Sequence, residues 1–150
     1  MRVFNGIDEL AAAVGEQLGQ SDWREITQDQ VDLFADATGD HQWIHVDPAK
    51  AKGGPFGGTI AHGYLTLSLL PVLVAQIFRV EGVSMGLNYG TNKVRFPAPV
   101  PVGSKVGASA QLVELTPSAI GSQAVIRVTI EIDGGAKPGC VADVVWVYVP

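Results

Sequence analysis

The chain is short of the residues that mark several protein classes. Among 150 residues there is one cysteine, Cys140. No internal disulfide can form, and such cysteine usage fits a reducing, cytoplasmic setting. Three histidines and one cysteine fall short of a typical zinc cluster, so no metal is expected. Charged residues make up only 17% and the net charge is −5, which leaves no basic footprint for nucleic acid or an anionic membrane. No signal-peptide pattern is expected either, because Arg2 is followed by Asn5, Asp8 and Glu9 where an apolar core would run. The one stretch that imitates a membrane span, Thr59 to Val80, is broken by His62, Gly63, Pro71, Gln76 and Arg79. Its uninterrupted part is shorter than the roughly 20 residues a bilayer requires.

Apolar residues, by contrast, are plentiful. They form 47% of the chain, with a mean hydropathy of +0.23. A chain of this length is most simply one domain, residues 1–150, that buries roughly 70% of its unfolded surface. Part of the apolar excess is expected at a subunit interface, and the chain is read as a homodimer. Val145, Val147 and Val149 on one side of the last strand, with Val144, Trp146 and Tyr148 on the other, point the same way. A strand apolar on both faces is usually covered on both.

The segment Thr59 to Val80 reads as a buried central helix, irregular near Pro71. Before it, residues near Asp8 to Leu18 read as helical and Asp22 to Ile26 as a short strand. Thr27-Gln28-Asp29-Gln30 has capping-box spacing, and Val31, Phe34 and Ala35 share one face of the helix that follows. Gly39 is a suitable left-handed stop for that helix. Asp47-Pro48 opens a further turn, with Asp47 as its cap. After Val80 the period changes to two. Val106, Ala108, Ala110 and Leu112 alternate with polar or small residues, as do Ile126, Val128, Ile130 and Ile132, and the last strand runs from Cys140 to Val149. Helical pieces followed by long antiparallel strands make an α+β domain.

The chemistry concentrates in Gly39-Asp40-His41-Gln42-Trp43-Ile44-His45, just past the end of a helix. Alone, an acid and an imidazole at this spacing are as ordinary as a loop cap and a packed histidine. Held together on one loop, Asp40 and His45 can share a single water as acid and base, which is enzyme chemistry. Sequence does not decide which of the two is acid and which base.

The same stretch, from Phe34 through Asp47-Pro48, resembles the signature of the MaoC-like (R)-specific enoyl-CoA hydratases and dehydratases. Gly39, Asp40, Ile44 and His45 match that signature, while Gln42 and Trp43 replace its Asn-Pro pair. Ile60-Ala61-His62-Gly63 is similar to the family's His-Gly at the head of the central helix. Arg95-Phe96 through Pro99-Val100 and Gly103 is similar to a later family pattern, and Asn88-Tyr89-Gly90 to a NodN-like branch. The resemblance implies a hot-dog fold, an antiparallel sheet wrapped around a long hydrophobic helix and assembled as a dimer. It also implies (R)-specific hydration of a trans-2-enoyl-CoA and the reverse dehydration. No cofactor is implied, since coenzyme A belongs to the substrate.

Within that reading Asp40 and His45 activate water, and the Gly63 N–H, at the first turn of the helix, polarises the thioester carbonyl. Lys93 and Arg95 are candidates for contact with the phosphates of coenzyme A. His62 is assigned a structural role at the helix entrance, Cys140 core filling, and Gly57 and Gly58 a turn. No catalytic serine is assigned, because Pro71 stands where some members carry one. Two alternatives share the fold: an acyl-CoA thioesterase, and a non-catalytic acyl-binding subunit.

Overall fold

A computed structural model describes Met1–Pro150. In chain order the elements are β1 (Arg2–Asn5), α1 (Ile7–Ala12), β2 (Gln17–Gln20), β3 (Arg24–Glu25), α2 (Gln28–Thr38), α3 (Trp43–Val46), α4 (Pro48–Lys52), α5 (Gly63–Ser68) and α6 (Leu70–Val74), then β4 (Phe78–Glu81), β5 (Met85–Arg95), β6 (Lys105–Ser118), β7 (Gly121–Ile132) and β8 (Cys140–Val149). The alternating segments form one antiparallel sheet in the order β2-β6-β7-β8-β5, with β3 also paired to β6. The inward positions of β6, β7 and β8 carry Ala110, Leu112, Ile126, Val128, Ile130, Cys140 and Ala142, all buried. They close on Leu65, Leu70, Leu73 and Val74 of α5 and α6 in a single apolar cluster. Sheet and helices thus make the hot-dog arrangement that the resemblance implied.

The central helix is shorter than its apolar run. It is broken at Leu69 into α5 and α6, with Pro71 near the start of the second piece, where a missing N–H does least harm. Beyond Val74 the run leaves helix altogether. Phe78 to Glu81 pair in parallel with Arg2 to Asn5, so an N-terminal strand claims residues whose hydropathy alone reads as helix. Similarly, the helix expected over Asp8 to Leu18 stops at Ala12, because Gln17 to Gln20 add an edge strand beside β6. No helix is long and apolar enough to cross a membrane.

The signals around α2 are realised. Thr27 and Gln30 form a reciprocal capping box, Gly39 ends the helix at φ 84°, and the Asp47 carboxylate caps α4 through Lys50 N–H. The two apolar faces of β8 need a different explanation from a second copy. Val145 and Val147 lie on the outer face yet are only 4% and 2% exposed within one chain. They are flanked there by Val125 of β7 and Leu87 of β5. The unsatisfied surface is β5 instead. It pairs with β8 on one side only, and Met85, Leu87 and Tyr89 are exposed along it.

Candidate active site

Asp40 and His45 are positioned by the ends of short helices. The left-handed turn at Gly39 throws the chain out of α2, so Asp40 begins a tight return. Its carboxylate accepts from Gln42 N–H at 3.3 Å. The segment expected as irregular loop then makes one helical turn, α3, and this turn directs His45 inward, 6% exposed.

Three bonds hold that turn. His45 Nδ1 lies 2.7 Å from the Ile60 carbonyl, and since a carbonyl only accepts, Nδ1 carries the hydrogen. Ile60 N–H donates in return to the Ile44 carbonyl at 3.0 Å. Gln28, from the first turn of α2, donates through Nε2 to the His45 carbonyl at 2.7 Å and accepts the Thr59 hydroxyl at 2.6 Å. Sequence reasoning misses Gln28, whose only mark is its place inside the capping box. The consequence for His45 is chemical: the neutral ring presents a bare Nε2. Burial, the largest influence, pushes its pKa below the ordinary value, opposed by the Ile60 bond and the Asp40 charge.

His62 stands at the entrance of the central helix, as expected. It is the N-cap residue of α5, yet its side chain caps nothing. The ring is 3% exposed and lies between Phe34 and His45, stacked on the latter at 3.9 Å between centroids and 25° between planes. The side-chain donor atoms of Asp40, His45 and His62 all fall within 4.8 Å of one another. That donor set matches a metal site by distance but not by direction. Ring lone pairs lie in the ring planes, and two planes inclined by only 25° do not meet within about 2.1 Å of both nitrogens.

Gly63 follows at the head of α5, and its N–H makes no hydrogen bond within the chain. The Phe96 ring lies over it, close enough that a Cβ placed on Gly63 would sit 3.2 Å from the ring carbons. Phe96 and Tyr64 continue into a groove of about 420 Å³ that reaches Thr91, Asn92, Lys93 and Arg95. Lys93 and Arg95 line this groove, and Asp40 and His45 do not. Arg127 beyond them is engaged by Asp143 at 2.8 and 2.9 Å. A separate apolar hollow of about 290 Å³, between Pro71, Val74, Phe78, Trp146 and Tyr148, opens at the opposite end of the helix pair. Cys140 is buried in the sheet with its thiol pKa pushed up to about 11, which fits core filling.

With this geometry in hand, comparison with known proteins is informative. Residues 9–134 match the MaoC like domain. The chain belongs to the MaoC-like family. It is 59% identical, over 99% of both chains, to the 3-hydroxyacyl-thioester dehydratase Z of Mycobacterium tuberculosis. Nodulation protein N of Rhizobium leguminosarum bv. viciae is 42% identical, over 94% of this chain and 88% of that one. Among solved structures, the (R)-hydratase from A. caviae involved in PHA biosynthesis superimposes with a TM-score of 0.74 at 26% identity, covering 91% and 96% of the two chains. As a MaoC-like protein so close to a dehydratase along its whole length, the chain is an enzyme of the dehydratase kind.

Proposed function

We propose that this MaoC-like enzyme adds water reversibly to a trans-2-enoyl-CoA, giving the (R)-3-hydroxyacyl-CoA, with Asp40 and His45 as its catalytic residues. The observation that carries the reading is the separation of the Asp40 carboxylate and the His45 ring, within 4.8 Å. A water bound to both by hydrogen bonds of about 2.8 Å at a tetrahedral angle spans about 4.6 Å. The named activity of the 59% identical relative supports the substrate class, and that of the A. caviae protein supports the stereochemistry.

In this reading His45 Nε2 takes one proton from the water as its oxygen bonds to the β-carbon. The same imidazolium then returns a proton to the α-carbon, so atoms and charge balance. Asp40 accepts the water's other O–H, and its negative charge favours the protonated His45. Charge that develops on the thioester oxygen is met by the free N–H of Gly63. Lys93 and Arg95 lie along a groove that starts at the cover of Gly63, which supports a role in holding the coenzyme A phosphates. The chemistry asks for no metal or other cofactor, and the lone cysteine fits a cytoplasmic enzyme.

A homodimer belongs to the same proposal. An unpaired edge of eleven residues invites a strand from outside, and a second copy of β5 supplies one. Hydration of crotonyl-CoA, followed at the enoyl absorbance with chiral analysis of the product, tests the activity. An (S) product, or thiol release from a saturated acyl-CoA without hydration, overturns it. Sedimentation at micromolar concentration tests the dimer, and a fully active monomer removes it.

A further inference from the structure

His62 is the residue whose surroundings a structural role does not explain. An N-cap side chain accepts a hydrogen bond from the first turn of its helix, and that of His62 does not. Its Nδ1 is buried with no partner at all. An unpaired buried nitrogen is destabilising, whereas a phenylalanine between Phe34 and His45 would fill the space with no polar atom to satisfy. The single hydrogen bond of the His62 side chain runs to the other half of the catalytic pair: Nε2 lies 2.9 Å from the Asp40 carbonyl. That oxygen only accepts, so Nε2 carries the hydrogen. One ring thus grips the backbone of Asp40 with its edge and the side chain of His45 with its face.

We propose that His62 is a positioning residue of the hydration: its Nε2–H fixes the Asp40 backbone and its face fixes the tilt of His45, so that carboxylate and imidazole meet on one water. The inference rests on the proposed roles of Asp40 and His45. Besides His62, Gln42 links the two, through its N–H to the Asp40 carboxylate at 3.3 Å and its carbonyl from His45 N–H at 3.0 Å, but no hydrogen bond from it reaches the His45 ring. Asp40 is exposed on a turn whose other bonds, to Thr38 Oγ1 at 3.4 Å and from Gln42 N–H at 3.3 Å, are long. Small displacements matter here, because a misplacement of about 1 Å between reacting groups can cost a hundredfold in rate. The contact is also electrostatic. The titratable groups facing His45 are Asp40, which favours its protonated form, and His62, which disfavours it, while the Ile60 carbonyl brings no charge.

Two substitutions separate the two grips. His62→Phe keeps a ring against His45 and removes the donor to Asp40; His62→Gln keeps an amide donor and removes the ring. With crotonyl-CoA as substrate, His62→Phe should lower kcat roughly ten- to a hundredfold with KM within about twofold, and His62→Gln should recover part of the loss. In both, removing the repulsion from His62 should move the acid limb of kcat/KM, and the NMR titration of the His45 ring, to higher pH. Wild-type kcat in folded His62→Phe, with only a lower melting temperature, overturns the proposal. So does an unmoved His45 titration in both variants. The titration needs no substrate. If the wild type hydrates nothing, the functional reading fails, while the His62–His45 contact is still judged by NMR; should His62→Phe not fold, His62→Gln carries both readouts.

Discussion

The sheet and the helical crown that carries His45 hold their residues by opposite means. Around the sheet, placement comes from numbers: 27 buried apolar residues of strands and helices share one cluster. In the crown, placement comes from a few directional bonds, namely Ile60 to His45, Gln28 to His45 and Thr59, and His62 to Asp40. Packing tolerates the loss of any one partner by degrees, whereas a directional bond is either made or not. Substitutions in the sheet should therefore move stability and spare chemistry, and those in the crown the reverse.

The largest expected effect lies in Asp40 and His45, the proposed catalytic pair. Asp40→Asn and His45→Gln should each lower kcat for enoyl-CoA hydration by about 10²–10⁴-fold with the fold intact by circular dichroism. The wild-type pH profile adds a sign. Burial disfavours the imidazolium, so His45 stays neutral, and able to accept, below the ordinary value of 6.5. The acid limb of kcat/KM should accordingly fall below 6.5 and disappear from the residual activity of His45→Gln. Near-wild-type turnover in either variant breaks the comparison at its centre.

Next in size is Gly63→Val. No unusual backbone angle forces glycine here; the Phe96 ring is what a side chain would meet, at 3.2 Å. Crowding the approach to the Gly63 N–H should cost about 3–4 kcal/mol of transition-state stabilisation, read as a fall in kcat. Gly63→Ala asks Phe96 to yield by only a few tenths of an ångström, so its loss should be smaller. Equal rates in both variants would show that this N–H points away from the reaction.

The sheet side is tested by Leu73→Ala. Leu73 is fully buried between α6 and the strands. Its truncation should lower unfolding free energy by about 2–5 kcal/mol in urea titrations. Turnover per folded molecule should stay within about twofold. A proportionate fall in kcat would mean that packing tension reaches the pair, and the two regions would no longer count as separate.

The same contrast explains which features are legible in the amino-acid sequence. Period-two strands such as Val106 to Leu112 and Ile126 to Ile132 announce themselves because side chains alternate across a sheet whatever lies beyond it. The capping box at Thr27 and the stop at Gly39 are equally local, and with the family motif they bring Asp40 and His45 into view. Partners brought in from elsewhere in the chain are invisible in this way. Pairing with β1 turns Phe78 to Val80 from expected helix to strand, and pairing with β6 takes Gln17 and Leu18 from the helix expected over Asp8 to Leu18. His62 illustrates the point at the site itself. Its neighbour Gly63 marks a helix start, which makes a structural role the natural expectation. Only the stack on His45, a residue well separated from it along the chain, gives it another.

The smallest expected effect sharpens the comparison most, because it divides adjacent residues. Thr27 and Gln28 both stand at the head of α2, but Thr27 satisfies that helix's own N–H groups while Gln28 reaches to His45 and Thr59. Thr27→Ala should cost about 1 kcal/mol of stability and leave kcat unchanged within error. Gln28→Ala removes hydrogen bonds of similar individual worth, about 0.5–1.5 kcal/mol each. It should also lower kcat severalfold, because the carbonyl of the turn bearing His45 loses its donor and that ring is freer to tilt. Paired urea titrations and steady-state rates on the two variants measure both quantities. If Thr27→Ala slows turnover as much as Gln28→Ala, stability of α2 governs the site; if only Gln28→Ala does, the directional bond is what aims His45.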